Sequence, residues 1–195
     1  PDLEENINIL LASAQEKDIA LLVPGDPMVA TTHLAIILKA EELGIKTKII
    51  HSSSIYSAIA EVGLQIYKFG RTASLPFSEP GYFPTTPYHI LKENLNLGLH
   101  TLFLLDVKAK EGRFMTVPEA IESLWQIGKK VEGKKRIFTA KTPCLGIARL
   151  GSLNPKIKFG KAADLLKINF GKPPHSLIVP GKLHFLETEA LERFK

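Results

Sequence analysis

The residues best suited to chemistry stand in one stretch, Pro24-Gly25-Asp26-Pro27-Met28-Val29-Ala30-Thr31-Thr32-His33. It sets a carboxylate, two hydroxyls and an imidazole around a Gly–Pro turn. Such groups hold a polar ligand by accepting and donating hydrogen bonds. A second polar stretch, His51-Ser52-Ser53-Ser54, follows another apolar run. Each feature also has a plainer role. Asp26 and Thr31 can satisfy neighbouring backbone N–H groups, Ser53 or Ser54 can cap a helix, and His33 can be a first-turn residue with a satisfied ring. Taken alone, the turn favours the plain role.

The elements around these residues raise the case for a site. Ile19 to Val23 is an apolar run that reads as a buried strand. Thr31 and Thr32 are good N-caps for a helix over 31–43 that Gly44 closes. Lys46 to Ile50 is the next strand, and a helix occupies 3–16. Strand, helix, strand is the sign of a parallel sheet with a right-handed crossover. Ligands of open α/β sheets gather beyond the carboxyl ends of strands, where Asp26 and Ser52–Ser54 both stand. A helix over 55–62 follows.

From Gly63 the texture changes, with Gly70, Pro76, Pro80, Gly81, Pro84 and Pro87 punctuating shorter segments. The division falls near Ser52–Ser54, giving domains 1–52 and 53–195. The second domain reads as strand 72–76, helix 88–97, buried strand 100–105 and a helix from Val117 to about Val131. Thr116, Pro118 and Glu119 form a capping box with proline at that helix start. Strands 144–150 and 157–160 make a hairpin, a helix covers 161–169, strand 176–179 follows, and the last helix spans 187–195. Hairpins and crossovers together predict a mixed sheet.

The 195 residues are 45% hydrophobic and carry a formal net charge of +5, with dispersed lysines that lack interleaved aromatics. That pattern argues against direct nucleic-acid binding. Apolar runs are strand-sized, so no membrane span is expected. The first residues are acidic and polar and do not read as a signal peptide. The single cysteine, Cys144, excludes an internal disulfide, fits a reducing cytoplasmic setting, and reads as an inert core thiol. There is no P-loop, H-E-x-x-H, G-x-S-x-G or G-x-G-x-x-G, and the six histidines show no metal-ligand spacing. The remaining loops suit a reaction that depends on binding and alignment.

Several stretches resemble the diphthine synthase family. They are Pro24–His33, Ser54–Ala58, Gly63–Gly70, Gly98–Asp106, Ala148–Ser152 and Pro173-Pro174-His175-Ser176-Leu177-Ile178-Val179-Pro180-Gly181. Gly-Asp-Pro alone belongs to the wider tetrapyrrole methylases. The long turn motif together with the Pro173–Gly181 run is far more specific, and order and spacing match along nearly the whole chain. The resemblance implies a two-domain tetrapyrrole-methylase-like α/β fold, with a parallel sheet in the N-terminal part, a mixed-sheet C-terminal domain and S-adenosyl-L-methionine in the cleft between them. It implies methylation of the amino group on a 3-carboxy-3-aminopropyl histidine of translation elongation factor 2, with S-adenosyl-L-homocysteine as product, by a homodimer. Cofactor contacts carried over by motif are Asp26, Val29, Ser54, Ile55, Leu105, Leu150 and His175. Family members begin with a short strand and glycine-rich loop; this sequence starts after them, which implies an N-terminal truncation.

Methyl transfer from a sulfonium is an in-line displacement that needs alignment and exclusion of water. Positioning is therefore expected to dominate, with no side chain assigned as an indispensable base and no metal. His33 is the weak candidate for proton relay. Trp125 reads as core, Asp106 as a cap of the strand exit, and Arg149 and Lys182 as surface salt-bridge partners in preference to acceptor contacts. Two other readings remain. One is a precorrin-type tetrapyrrole methyltransferase, against which Thr31-Thr32-His33 stands where that branch has glycines. The other is a truncated, non-catalytic cofactor-binding module.

Overall fold

The computed structural model describes residues 7–195 and begins with helix α1, Ile7–Ala14. This is the body of the helix predicted over 3–16; its first turn lies outside the described residues. Helix α2, Leu34–Glu42, and the four-residue α3, Ile55–Ala58, follow. By internal contacts the chain divides into two units, Pro1–Ser57 and Ala58–Lys195.

In the first unit the helix predicted from Thr31 starts later. His33 holds the N-cap position without a side-chain cap, and Thr31 and Thr32 still belong to the turn. At the other end Gly44, with φ +70°, donates to Glu41 O while Ile45 N returns to Ala40 O, the close expected of glycine just past a helix. The predicted strands 19–23 and 46–50 carry no regular secondary structure and join no ladder among the described residues. A strand is completed by a neighbour's N–H and C=O groups. These two segments line an apolar cavity of about 760 Å³ with Leu10, Leu11, Leu21, Val23, Ile37 and Ile49 on its walls, and do not pair.

The second unit carries strand β1 (Ala73–Leu75), helix α4 (Thr86–Asn96), strand β2 (Thr101–Leu105) and a small hairpin of β3 (Val107–Lys108) with β4 (Arg113–Phe114). Helix α5 (Val117–Glu132), strands β5 (Pro143–Ala148) and β6 (Lys156–Lys161), helix α6 (Ala162–Leu165), strand β7 (His175–Val179) and helix α7 (Phe185–Glu192) complete it. The main sheet has the order β1-β2-β7-β5-β6. Only β1 and β2 are parallel; the other pairs are antiparallel, so the sheet is mixed as expected.

The apolar strands bury because both faces of the sheet are covered. Phe103, Leu177 and Val179 are fully buried in one cluster with Ile121, Leu124 and Ile127 of α5, and Leu145 is fully buried as well. Each such side chain contributes about 1.5–3 kcal/mol relative to exposure. Two helices are shorter than the sequence suggests. After Leu165 the bonds tighten to Lys167 N–Asp164 O and Ile168 N–Leu165 O, which ends α6. After Ala58 the chain likewise tightens into a 3₁₀ turn over Ile59–Val62, closed by Gly63. Helix α7 begins two residues before the predicted Glu187 because His184 caps it with a full capping box. Among the described residues no helix is long and apolar enough to cross a membrane.

Candidate active site

Gly25 takes φ +84°, a conformation natural to glycine, and turns the chain after the segment 19–23. A Cβ at this position would stand 3.3 Å from Ser53 O, so the backbones of the two polar corners approach closely. Asp26 ties them together. Its Oδ1 accepts from Met28 N at 2.9 Å, and its Oδ2 accepts from His51 Nδ1 at 2.9 Å and from Ser52 N at 3.1 Å. The carboxylate side chain is only 7% exposed. The Met28 amide holds its pKa below the ordinary value, with Ser52 N and His51 adding to the effect against partial burial.

The same corner carries the other predicted contacts. Val29 is half-buried and its N–H donates to Asp26 O at 3.4 Å, closing the turn. Ala30 follows with φ +53°, a left-handed backbone that costs a non-glycine residue of order 1 kcal/mol. Ser54 Oγ accepts from Tyr56 N and Ser54 O accepts from Ser57 N, so Ser54 caps α3, and half-buried Ile55 opens that helix. His33 Nδ1 lies 2.7 Å from Pro27 O. The plainer reading of His33, a satisfied ring, is the one observed.

Sheet register gathers the remaining three in the second unit. Leu75 pairs with Leu105, Leu104 with Ser176, and Ala148 with His175. The carboxyl ends of β1, β2 and β5 and the start of β7 therefore share one end of the sheet. Leu105 is buried there and half-buried Leu150 lies two residues beyond Ala148. Asp106 accepts from Phe77 N at 2.8 Å and Val107 N at 2.9 Å, capping the strand exit as predicted.

The His175 ring is fully engaged. Nδ1 accepts from Val117 N at 3.3 Å, and Nε2 donates towards Gly171 O and Lys172 O at 3.1 and 3.2 Å. Burial pushes its pKa down, which keeps the ring neutral and able to accept from Val117. His175 follows the cis Pro173–Pro174 peptide bond. Arg149, with φ +54°, donates from its guanidinium to the carbonyls of Phe170, Lys172 and Asn154. It is a carbonyl clamp beside Leu150, and the salt-bridge expectation for it is corrected. Lys182 serves through its backbone, donating to Gly98 O and accepting from Lys68 Nζ.

Cys144 is buried and burial pushes its thiol pKa far up, so it is inert. Trp125 packs on the core. Sequence reasoning missed the pairing of Asp26 with His51. The available signal was that both residues sit just past apolar runs, and so at equivalent corners.

Residues 2–166 match the family of Tetrapyrrole (Corrin/Porphyrin) Methylases. The chain is 49% identical over 190 residues to a diphthine synthase of Methanococcus maripaludis, covering 97% of this chain and 74% of that one. It is 48% identical over 194 residues to the diphthine synthase of Methanocaldococcus jannaschii, covering 98% and 74% respectively. A crystal structure of diphthine synthase superposes with a TM-score of 0.86 at 40% identity, covering 99% of this chain and 72% of that one.

Proposed function

The chain belongs to the tetrapyrrole methylase family and, within it, to the diphthine synthases, methyltransferases of diphthamide biosynthesis; from that membership we propose that it methylates the amino group of a 3-carboxy-3-aminopropyl histidine on translation elongation factor 2, using S-adenosyl-L-methionine. The observation that carries this reading is the Asp26 carboxylate joining two polar corners whose backbones approach at Gly25 and Ser53. A side chain at Gly25 would fill this cradle, and glycine leaves it open.

The donor set fits the cofactor. A carboxylate offers about four acceptor sites. Three on Asp26 are taken by Met28 N, His51 and Ser52 N, so roughly one stays free for a ligand N–H or O–H. Ser54 Oγ accepts from Tyr56 N and keeps its O–H to donate. Leu105 and Leu150 supply apolar surface at the sheet end. With both ring nitrogens committed, His175 is left its ring face and its backbone. The proposed contacts are Asp26, Val29, Ser54 and Ile55 at the paired corners, with Leu105, Leu150 and His175 at the sheet end. Bound there, the sulfonium supplies an electrophilic methyl group. The chain's task is alignment and exclusion of water, and a mildly apolar site lowers the pKa of the acceptor ammonium. Cytoplasmic action as a homodimer, without membrane or nucleic-acid contact, is part of the same reading, and light scattering checks the dimer.

Calorimetry with S-adenosyl-L-methionine and transfer of labelled methyl groups to elongation factor 2 bearing the aminocarboxypropyl histidine test the proposal. One cofactor per chain and labelled factor are expected. Binding without transfer to the factor points to a tetrapyrrole acceptor. Absence of binding overturns the reading.

A further inference from the structure

We propose that His51, oriented by Asp26, takes the proton that the acceptor amine gives up in this reaction. The inference rests on the methyltransferase reading above and adds a catalytic residue to it. His51 Nδ1 lies 2.9 Å from Asp26 Oδ2. An ionised carboxylate can only accept, so Nδ1 carries the hydrogen and Nε2 holds the free lone pair. The carboxylate is fixed in turn by Met28 N and Ser52 N. A base oriented by a buried carboxylate that is itself held by backbone amides is the arrangement by which enzymes present an imidazole as proton acceptor.

The exposures agree with those roles. The Asp26 side chain is 7% exposed and works behind the ring, whereas the His51 side chain is 72% exposed and open to an acceptor. His51 also stands at the corner proposed for the cofactor, next to Ser52 and Ser53. The other imidazole of this corner is less suited, because the group behind His33 Nδ1 is the neutral carbonyl of Pro27, which stabilises an imidazolium less than the Asp26 carboxylate does. The charged and titratable groups of the adjoining segments are Asp26 and His33 on the turn and Lys46 and Lys48 on the approach to His51, and the ring's hydrogen bond is to Asp26.

The balance is simple. The acceptor ammonium gives one proton to His51 Nε2, the freed nitrogen lone pair forms the N–C bond, and the S–C bond breaks with its electrons left on sulfur as a thioether. His51 then passes the proton to water. Asp26 touches none of the reacting atoms in this step and is the positioning residue.

Two measurements on the described chain test the proposal. The first needs no cofactor. Long-range ¹⁵N correlation of the His51 ring should show the Nδ1–H form in the native protein, and Asp26→Ala should convert it to the Nε2–H form common for free imidazole. A native ring already in the Nε2–H form overturns the proposal. The second is turnover of His51→Gln, a change at an exposed position that spares the core. Its kcat should fall about 100-fold near neutral pH and recover as pH rises and the acceptor amine loses its proton unaided, with calorimetric cofactor affinity unchanged. Free imidazole should partly rescue His51→Ala. Native kcat in His51→Gln across the pH range overturns the assignment. A native protein that binds no S-adenosyl-L-methionine instead fails the underlying function, so the two failures are distinguishable.

Discussion

Glu187 shows what a single buried charge can organise. Its side chain is 1% exposed and accepts from Gln65 N at 2.9 Å, His184 N at 2.8 Å, His100 Nε2 at 3.1 Å and Lys68 Nζ. His100 is itself fully buried, and its Nδ1 accepts from Gly181 N. One carboxylate thus satisfies donors from the start of the unit, from the entrance to β2 and from the cap of α7. Removing one partner of a buried charged set leaves the others desolvated and unpaired, at a cost of about 3–5 kcal/mol. Glu187→Ala should therefore lower the urea midpoint of the second unit by that equivalent without changing the slope. A loss under about 1 kcal/mol would mean that water reaches these donors and that the network matters little.

At the scale of elements, α5 is the best-signposted helix of the chain. Thr116 Oγ1 accepts from Glu119 N, and Glu119 Oε2 accepts from Thr116 N at 2.8 Å. Thr116→Ala should cost about 1 kcal/mol, or a melting temperature lower by about 2–4 °C, read by calorimetry. This cap was legible because it is local: Thr, Pro and Glu within four positions specify it. The β5–β6 hairpin and the buried β2 and β7 were legible for a similar reason, since apolar runs punctuated by Gly and Pro mark strands. The segments 19–23 and 46–50 have the same apolar signature, but propensity supplies no partner and neither joins a ladder. Their amides should exchange with deuterium far faster than those of β2, β5 and β7, and equal protection by mass spectrometry would refute that description. Within the site, the Gly25-Asp26-Pro27 corner was readable as a turn with a carboxylate. Its bond to His51, 25 positions away, was not, because it depends on how closely two corners approach. His100 and Glu187, 87 positions apart, escaped for the same reason.

Across the whole molecule, the shifted groups define the pH range of stability. Glu187 has an ordinary pKa of 4.5; burial pushes it up, but the amides of His184 and Gln65, with Lys68 and His100, outweigh burial and hold it at about 2. His100 is held below 6.5, because burial outweighs its bond to Glu187. In both cases the unfolded chain binds a proton more readily than the folded one, so acid favours unfolding. Stability from His100 is complete above 6.5 and falls as pH drops below that value. That from Glu187 is complete above 4.5 and is lost as pH falls towards about 2. Two groups set the alkaline limit. Burial pushes the Cys144 thiol far up from its ordinary 9.0, so its contribution is complete below 9.0 and falls as pH rises above that value. Tyr88 acts at higher pH. Burial, then its bond to Glu132, raises its phenol to about 12, so its contribution is complete below 10.0 and is lost as pH rises through about 12. Trp125, the one tryptophan of the chain, packs on the core of the second unit and reports that unit's unfolding by fluorescence. Urea titrations from about pH 3 to 11 should give a plateau between roughly 6.5 and 9, with losses on both sides. His100→Gln should flatten the slope just below 6.5, and Tyr88→Phe should lessen the slope above 10.0 while the acid one persists. Should Tyr88→Phe leave the slope above 10.0 intact, the raised phenol is not its source, and the buried Cys144 thiol is the group that accounts for it.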